Sequence, residues 1–172
     1  PAFKAKLLYN RGIRDVASAV DYLNSDLYVT HDPMLLPDMN KAIDRLTSAL
    51  SSRERIGIFG DFDADGLTGT ALLYRALAGL GCDVRTYIPH RVEEGHGLST
   101  VAIDKLKSEG VSLLITVDCG VTSINEVDIA NARGLDTIIT DHHTPLPQYP
   151  AACAVVDPLL ATNIYPFRHL TG

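Results

Sequence analysis

The sequence predicts an α/β fold in which helices cover both faces of a parallel, doubly wound sheet of about five strands, preceded by an N-terminal helical segment. From Arg55 onwards, short apolar runs alternate with segments of helical periodicity. This alternation is typical of a parallel sheet with crossover helices. Gly81, Gly110 and Gly134 lie just past the helical segments, where C-terminal caps occur. A length of 172 residues with 46% hydrophobic content suits a sizeable core.

Residues 1–54 are predicted to be a helical segment packed on that core. Helical spacing covers Ala2–Asn10, Val16–Leu23 and Asp38–Leu50. Asp38 is the expected N-cap of the third helix. Its apolar face is expected to contain Met39, Ile43, Leu46 and Leu50. The cations of this segment, which are either a solvated face or a DNA contact, are Lys4, Lys6, Arg11 and Arg14.

Residues 55–172 form the predicted Rossmann-like domain. Its expected strands are Ile56–Gly60, Val84–Ile88, Leu113–Val117, Thr137–Thr140 and Ala154–Val156. Its expected helices are Leu67–Leu80, Ser99–Glu109 and Ser123–Ala132. We therefore predict two regions, the helical segment and this larger domain.

Three carboxylates follow the first predicted strand, in the stretch I-G-I-F-G-D-F-D-A-D-G-L-T-G-T. They are Asp61, Asp63 and Asp65, at the strand-to-helix turn where open α/β sheets bind ligands. Like charges this close raise one another's pKa unless a cation compensates, and hard divalent cations prefer carboxylate oxygens. The stretch therefore indicates a metal site. The competing interpretation is a solvated acidic turn in which Asp63 or Asp65 only caps the helix.

Two other chemistries share these letters. D-x-D-x-D-G opens a calcium-binding EF-hand loop, but that loop needs a bidentate Glu at its twelfth position, which here is Leu72. A haloacid-dehalogenase-type phosphatase also places D-x-D after a strand. It needs a late acidic pair, which does not follow Asp141, and it leaves the two histidines that come next without a role.

Two further strands are also followed by groups that bind metals. The third predicted strand leads into Asp118-Cys119-Gly120 and the fourth into Asp141-His142-His143. Because parallel strands end at one edge of the sheet, we expect these side chains to converge with the first three acids. Imidazoles beside carboxylates suit a pair of Mn²⁺ or Mg²⁺ ions better than a closed structural zinc site.

Composition restricts the setting. A net charge of −6 does not by itself indicate a nucleic-acid binder, although bound metals would offset the clustered acids. Three cysteines without a C-x-x-C pattern argue against a disulfide framework and suit a reducing cytoplasm. No apolar run of about 18 residues occurs, so no association with a membrane is predicted.

The motifs G-D-F-D-A-D-G, V-D-C-G and T-D-H-H, in this order and spacing, resemble the first three motifs of the DHH phosphoesterase family. Residues 88–98, I-P-H-R-V-E-E-G-H-G-L, resemble its RecJ-type branch. That resemblance implies a cytoplasmic hydrolase of DNA repair and recombination. It would degrade single-stranded DNA from the 5′ end with two Mn²⁺ or Mg²⁺ ions, with a single-strand-binding protein or a helicase as further partners.

The resemblance also implies roles for individual residues. The metal ligands would be Asp61, Asp63, Asp65, Asp118 and His142, with Asp118 bridging both ions. His143 would contact the scissile phosphate, and Asp141 would orient the imidazoles. Arg91 and His96 would hold substrate phosphates. Because water would be the nucleophile, no covalent intermediate would form. The catalytic residues would be Asp65, Asp118, His142 and His143.

The same resemblance leaves alternatives. Other branches cleave oligoribonucleotides, cyclic dinucleotides or pyrophosphate, but usually show a histidine some four residues before the D-x-D, where this chain has Phe59. Some relatives are replication scaffolds that have lost ligands, whereas the first three motifs are intact here. We expect the chain to be a fragment that ends before the family's fourth motif and second domain, with weak activity at most.

Overall fold

The computed structural model describes residues 2–24 and 31–171. Its compact units are residues 1–31 and residues 32–172. The first contains helices α1 (Ala2–Asn10) and α2 (Val16–Leu23), with the predicted bounds. The carboxylate of Asp15 caps α2, because it accepts hydrogen bonds from the backbone N–H and the hydroxyl of Ser18, both at 2.8 Å. Neither helix contains a buried residue among the residues described.

The second unit contains one parallel sheet with the strand order β2–β1–β3–β4–β5. The strands are β1 (Ile56–Gly60), β2 (Val84–Tyr87), β3 (Leu113–Val117), β4 (Asp136–Thr140) and β5 (Ala154–Val156). The helices are α3 (Met39–Ser51), α4 (Ala64–Gly79), α5 (Thr100–Ser108) and α6 (Ile124–Ala132), and a short 3₁₀ helix spans Pro33–Leu35. The predicted fold class is confirmed.

Two hydrophobic cores lie on opposite faces of the sheet. One contains Phe59 of β1 and Leu114 of β3, packed with side chains of α5 and α6. The other contains Ile58 of β1 and Ile115 of β3, packed with side chains of α3 and α4. Successive strand residues therefore alternate between two buried faces, which explains why the strands read as continuous apolar runs.

Helix α3 differs from its prediction in two respects. Asp38 precedes the helix with φ +52° and makes no side-chain cap bond. Its carboxylate pairs with Lys41 at 2.7 Å and accepts a hydrogen bond from the backbone N–H of Val155 at 3.2 Å. The buried face holds Ala42 and Ala49, whereas Ile43 is 41% exposed. Small residues let α3 lie close to the sheet, so the larger ones flank the contact.

No helix among the described residues combines the length and the apolar character that crossing a membrane requires.

Candidate metal centre

The acidic residues lie where the direction of the chain switches within the sheet. β1 and β3 are neighbours, β2 lies on the outer side of β1, and the carboxyl ends at such a switch point are where open α/β sheets bind ligands. After β1 and after β3, the first backbone N–H donates to the neighbouring strand. Asp61 donates to Val117 at 3.1 Å, and Asp118 to Thr140 at 3.0 Å. These hydrogen bonds fix the first acidic residue after β1 and after β3.

Asp63 forms the N-cap of α4. Its Oδ1 accepts a hydrogen bond from the backbone N–H of Gly66 at 3.0 Å, and this bond holds the pKa of Asp63 below its usual range. The helix therefore begins at Ala64, three residues before the predicted start at Leu67. As a result, Asp65 lies in the first helical turn.

Gly66 allows α4 to approach the end of β1. A Cβ atom added at Gly66 would lie 2.3 Å from the carbonyl oxygen of Asp61. Only glycine can occupy this position without displacing backbone, so the glycine of the D-x-D-x-D-G stretch sets the closeness of helix and strand.

Asp118 is the most buried acid of the cluster, with 1% of its surface exposed. Burial and the nearby Asp63 carboxyl raise the pKa of Asp118 to about 6. Its backbone takes the left-handed conformation, with φ +62°. The Thr116 hydroxyl, which donates to the carbonyl of Cys119 at 2.7 Å, closes the same turn.

Asp141 holds the segment that carries both histidines. Its Oδ1 accepts hydrogen bonds from the backbone N–H groups of His142 at 2.7 Å and His143 at 3.1 Å, and it lies 2.7 Å from Nδ1 of His143. Its Oδ2 accepts from the backbone N–H of Val121 at 2.9 Å. Asp141 thus orients the ring of His143, whereas Nε2 of His142 lies 2.9 Å from Oδ1 of Asp118.

The pKa of His143 is raised, although two effects oppose each other. Partial burial on its own lowers it, because the charged imidazolium loses solvation. The hydrogen bond with Asp141 and the negative charges of Asp141, Asp118 and Asp61 outweigh that effect. The centre is thus negative enough to favour a cation.

Two sets of ligand atoms meet at this edge. Asp61, Asp63 and Asp118 form one set, and Asp118, His142 and His143 form the other; within each set the donor atoms lie within 4.8 Å of one another. Asp118 belongs to both. Among the described residues, no donor makes a hydrogen bond of suitable geometry to its buried Oδ1, although Nε2 of His142 lies 2.9 Å away. A cation would satisfy this oxygen, and carboxylates with imidazole suit Mn²⁺. The residues present therefore fit a metal pair.

Besides Asp141, three predicted site residues lie outside these two sets. Asp65 is on α4. His96 Nδ1 lies 3.0 Å from Oδ2 of the buried Asp61, and the His96 ring packs on Phe62 with centroids 4.2 Å apart. The guanidinium carbon of Arg91 lies 5.3 Å from the centroid of the same phenyl ring. His96 and Arg91 thus lie beside the centre rather than within it.

Phe62 was not predicted as a site residue. It lies between two acids and contacts both residues expected to hold phosphate. The phenylalanine between the two aspartates of D-F-D is the sequence feature that could have indicated this role.

Asp157 is fully buried at the end of β5, where it accepts a hydrogen bond from the backbone N–H of Leu159 at 2.7 Å. Burial raises its pKa to about 6. It belongs to neither ligand set.

A cavity of about 380 Å³ opens beside the ligand sets. Its lining includes Asp61, His96, Asp118, Asp141 and His143, with the backbone of Gly97 and Gly120. Side chains from the ends of three strands therefore face one cavity. A metal ion held by these side chains would lie close to an anion bound in the cavity.

Residues 55–163 match the DHH family, N-terminal domain. The match covers more than half of the chain, which therefore belongs to the DHH family. Among curated proteins, the chain is 41% identical over 168 residues to the single-stranded-DNA-specific exonuclease RecJ of Bacillus subtilis, covering 98% of this chain and 21% of that protein. It is 43% identical over 129 residues to RecJ of Thermus thermophilus, covering 75% of this chain and 19% of the relative.

Among the solved structures that resemble the chain, two contain manganese. One is an exonuclease RecJ bound to manganese, with a TM-score of 0.68 and 44% identity over 73% of this chain and 32% of that one. The other is RecJ of Thermus thermophilus with Mn²⁺, with a TM-score of 0.68 and 34% identity over 98% of this chain and 22% of that one. The chain thus spans about a fifth of the length of these curated relatives.

Proposed function

We propose that the chain carries the metal-binding part of a single-strand-specific DNA exonuclease that hydrolyses phosphodiester bonds from the 5′ end. The observation that carries this proposal is the convergence of two ligand sets on Asp118 at the switch point of the sheet. The similarity to manganese-bound RecJ structures supports it. The substrate and the polarity rest on the likeness to RecJ.

The two ligand sets would hold two metal ions. Asp61 and Asp63 would hold one ion, His142 the other, and Asp118 would contribute to both, as its place in both sets suggests. Asp65, on the first turn of α4, would join the first set only if its side chain turns towards Asp63. When bound, the ion pair supplies an activated water and neutralises charge on the phosphate.

The chain's own residues bind and orient the substrate. Asp141 engages Nδ1 of His143, which leaves Nε2 of that ring to donate a hydrogen bond to a phosphate oxygen. The raised pKa of His143 favours the protonated, donating ring. Arg91 and His96, which both contact the Phe62 ring, would hold phosphates of the strand beside the cavity.

We also propose a single-strand-binding protein or a helicase as the partner that supplies the single-stranded DNA.

Calorimetric titration of Mn²⁺ into the purified chain tests the metal centre. We expect binding by the wild type and loss of it in Asp118→Ala, which removes a ligand common to both sets, with partial loss in His142→Ala. Asp128→Ala removes an exposed carboxylate from α6 and is the matched control, expected to bind as the wild type does. Equal binding by all four proteins would place the metal elsewhere.

Activity is tested in a chimera, because the chain spans only 21% of the length of Bacillus subtilis RecJ. The chain replaces the matching segment of Bacillus subtilis RecJ, to which it is 41% identical. We expect the chimera to release nucleotides from 5′-labelled single strands in Mn²⁺, and to spare duplex DNA. With Asp118→Ala we expect a loss of at least about 100-fold, the scale of removing a principal electrostatic group. A folded chimera without activity would contradict the proposal.

A further inference from the structure

The α1–α2 hairpin, residues 2–24, carries charge of a different sign from the chain as a whole. Lys4, Lys6, Arg11 and Arg14 lie within the first fourteen residues, which contain no acid. None of the four forms an ion pair with a carboxylate of the described part of its own unit. The whole chain, by contrast, has a net charge of −6. The four cations outnumber the two acids of the hairpin, Asp15 and Asp21, so the hairpin is a local basic surface on an acidic protein.

Aromatic side chains are interspersed with these cations. Phe3 is 73% exposed, Tyr9 59% and Tyr22 56%. A cleft of about 310 Å³ is lined by Lys4, Arg11 and Tyr22 with three leucines, so one ring and two cations share a cleft. On a second cleft, of about 280 Å³, the guanidinium of Arg14 stacks on the ring of Tyr9, 3.5 Å from its centroid.

We infer that the α1–α2 hairpin is a second binding surface for single-stranded nucleic acid, separate from the metal centre. Exposed rings provide faces on which unpaired bases stack, and arginines add cation–π contacts while neutralising phosphates. Duplex DNA offers no unstacked bases to these rings, so the surface favours single strands. The inference rests on the proposed function for its choice of polyanion and on charge complementarity for its location.

The test is fluorescence anisotropy of a labelled oligothymidylate with the 172-residue chain in EDTA, so that no strand is cut. The first variant, Lys4→Gln/Arg11→Gln, removes the two cations that line the same cleft as Tyr22. We expect about a tenfold loss of affinity. The slope of the logarithm of the binding constant against the logarithm of the salt concentration should become shallower by about 0.7 for each phosphate contact removed. Lys41→Gln/Arg75→Gln removes the same charge from α3 and α4 and is expected to bind as the wild type does.

A second pair of variants separates stacking from charge. Tyr22→Ala is expected to bind about 5- to 100-fold more weakly, whereas Tyr22→Phe keeps the ring and the affinity. Circular dichroism confirms that the helices persist in each variant. Equal losses in the hairpin and control charge variants would overturn the inference, because binding would then follow net charge. A change of oligomeric state in Tyr22→Ala without a change in DNA affinity would also overturn it, by assigning the face to protein contact.

Asp118→Ala distinguishes this inference from the proposed function. We expect that variant to bind the oligonucleotide through the hairpin while losing Mn²⁺. If the chimera is inactive but the hairpin variants still weaken binding, the proposed activity fails and the surface stands. If the chimera is active and the hairpin variants bind like wild type, the surface fails alone.

Discussion

At the scale of single residues, Gly66 controls the geometry of the metal centre. Its hydrogen atom faces the backbone of Asp61, and a methyl group there would clash at 2.3 Å. The N–H of Gly66 also donates to Asp63. One residue thereby fixes both the distance of α4 from β1 and the orientation of a predicted ligand.

We expect Gly66→Ala to lower the free energy of unfolding by about 1–3 kcal/mol, because backbone must shift to admit the methyl group. It should also weaken Mn²⁺ binding by displacing Asp63. Urea denaturation and calorimetry measure the two effects. Gly79→Ala is the control in the same helix. Nothing lies within 4 Å of its added Cβ, so it should stabilise α4 by about 0.5–1 kcal/mol.

The pairing of His143 with Asp141 predicts a pH effect. In the metal-free protein, Asp141→Asn removes the nearest negative charge, while partial burial continues to penalise the imidazolium. We therefore expect the pKa of His143 to fall below its wild-type value. Titration of the His143 ring proton by NMR measures the change, and a pKa that stays raised would show that Asp141 is not its cause.

At the scale of elements, the sequence was sufficient for the strands and less so for the helix starts. β1 and β3 have their predicted bounds because short apolar runs are delimited by polar residues. α4 begins three residues before its predicted start because Asp63 serves as its cap. The acidic pattern presents helical capping and metal binding as alternatives for Asp63, yet its position allows both. The burial of Ala42 rather than Ile43 depends on how closely α3 packs, and periodicity does not encode that distance.

Arg45 joins α3 to the sheet. Its guanidinium donates to both carboxylate oxygens of Glu54, at 3.1 and 2.7 Å, and to Asp136 at the start of β4 at 2.7 Å. The Arg45 side chain is 18% exposed and that of Glu54 22%. The bidentate, partly desolvated geometry makes this pair stronger than a surface ion pair.

We expect Arg45→Met to cost about 1–3 kcal/mol of unfolding free energy at neutral pH. The arginine lowers the pKa of Glu54, so this part of the stability is present above the ordinary value of 4.5 and is lost as the pH falls through the lower folded-state pKa. The difference between variant and wild type in urea denaturation should therefore shrink in acid. A difference independent of pH would assign the effect to packing alone.

At the scale of the whole molecule, the two compact units differ in how they are stabilised. Residues 32–172 bury two hydrophobic cores, whereas α1 and α2 have 9 and 8 residues and bury none of those described. Helices this short are marginal without tertiary packing. The sequence predicted the bounds of both helices correctly. The packing of residues 1–54 on the core stays a prediction, because helical periodicity shows which residues share a face but not what that face contacts.

Hydrogen exchange followed by mass spectrometry should therefore show two levels of protection. We expect the amides of α1 and α2 to exchange fast, at local opening free energies near zero, and those of β1 and β3 to exchange at the rate of global unfolding. Addition of oligothymidylate should slow exchange in α1 and α2, and addition of Mn²⁺ should slow it at the ends of β1 and β3. Uniform protection across both units would contradict this division.

The left-handed backbone of Asp118 has a practical consequence for anyone improving this protein. Glycine adopts φ +62° without the penalty that a side chain incurs, and Asp118→Gly would also remove a buried carboxyl whose pKa is raised to about 6. A screen that rewards heat resistance alone would therefore favour this replacement. It would select a sturdier protein that has lost the one ligand common to both sets, so any such screen needs a metal-dependent readout beside the thermal one.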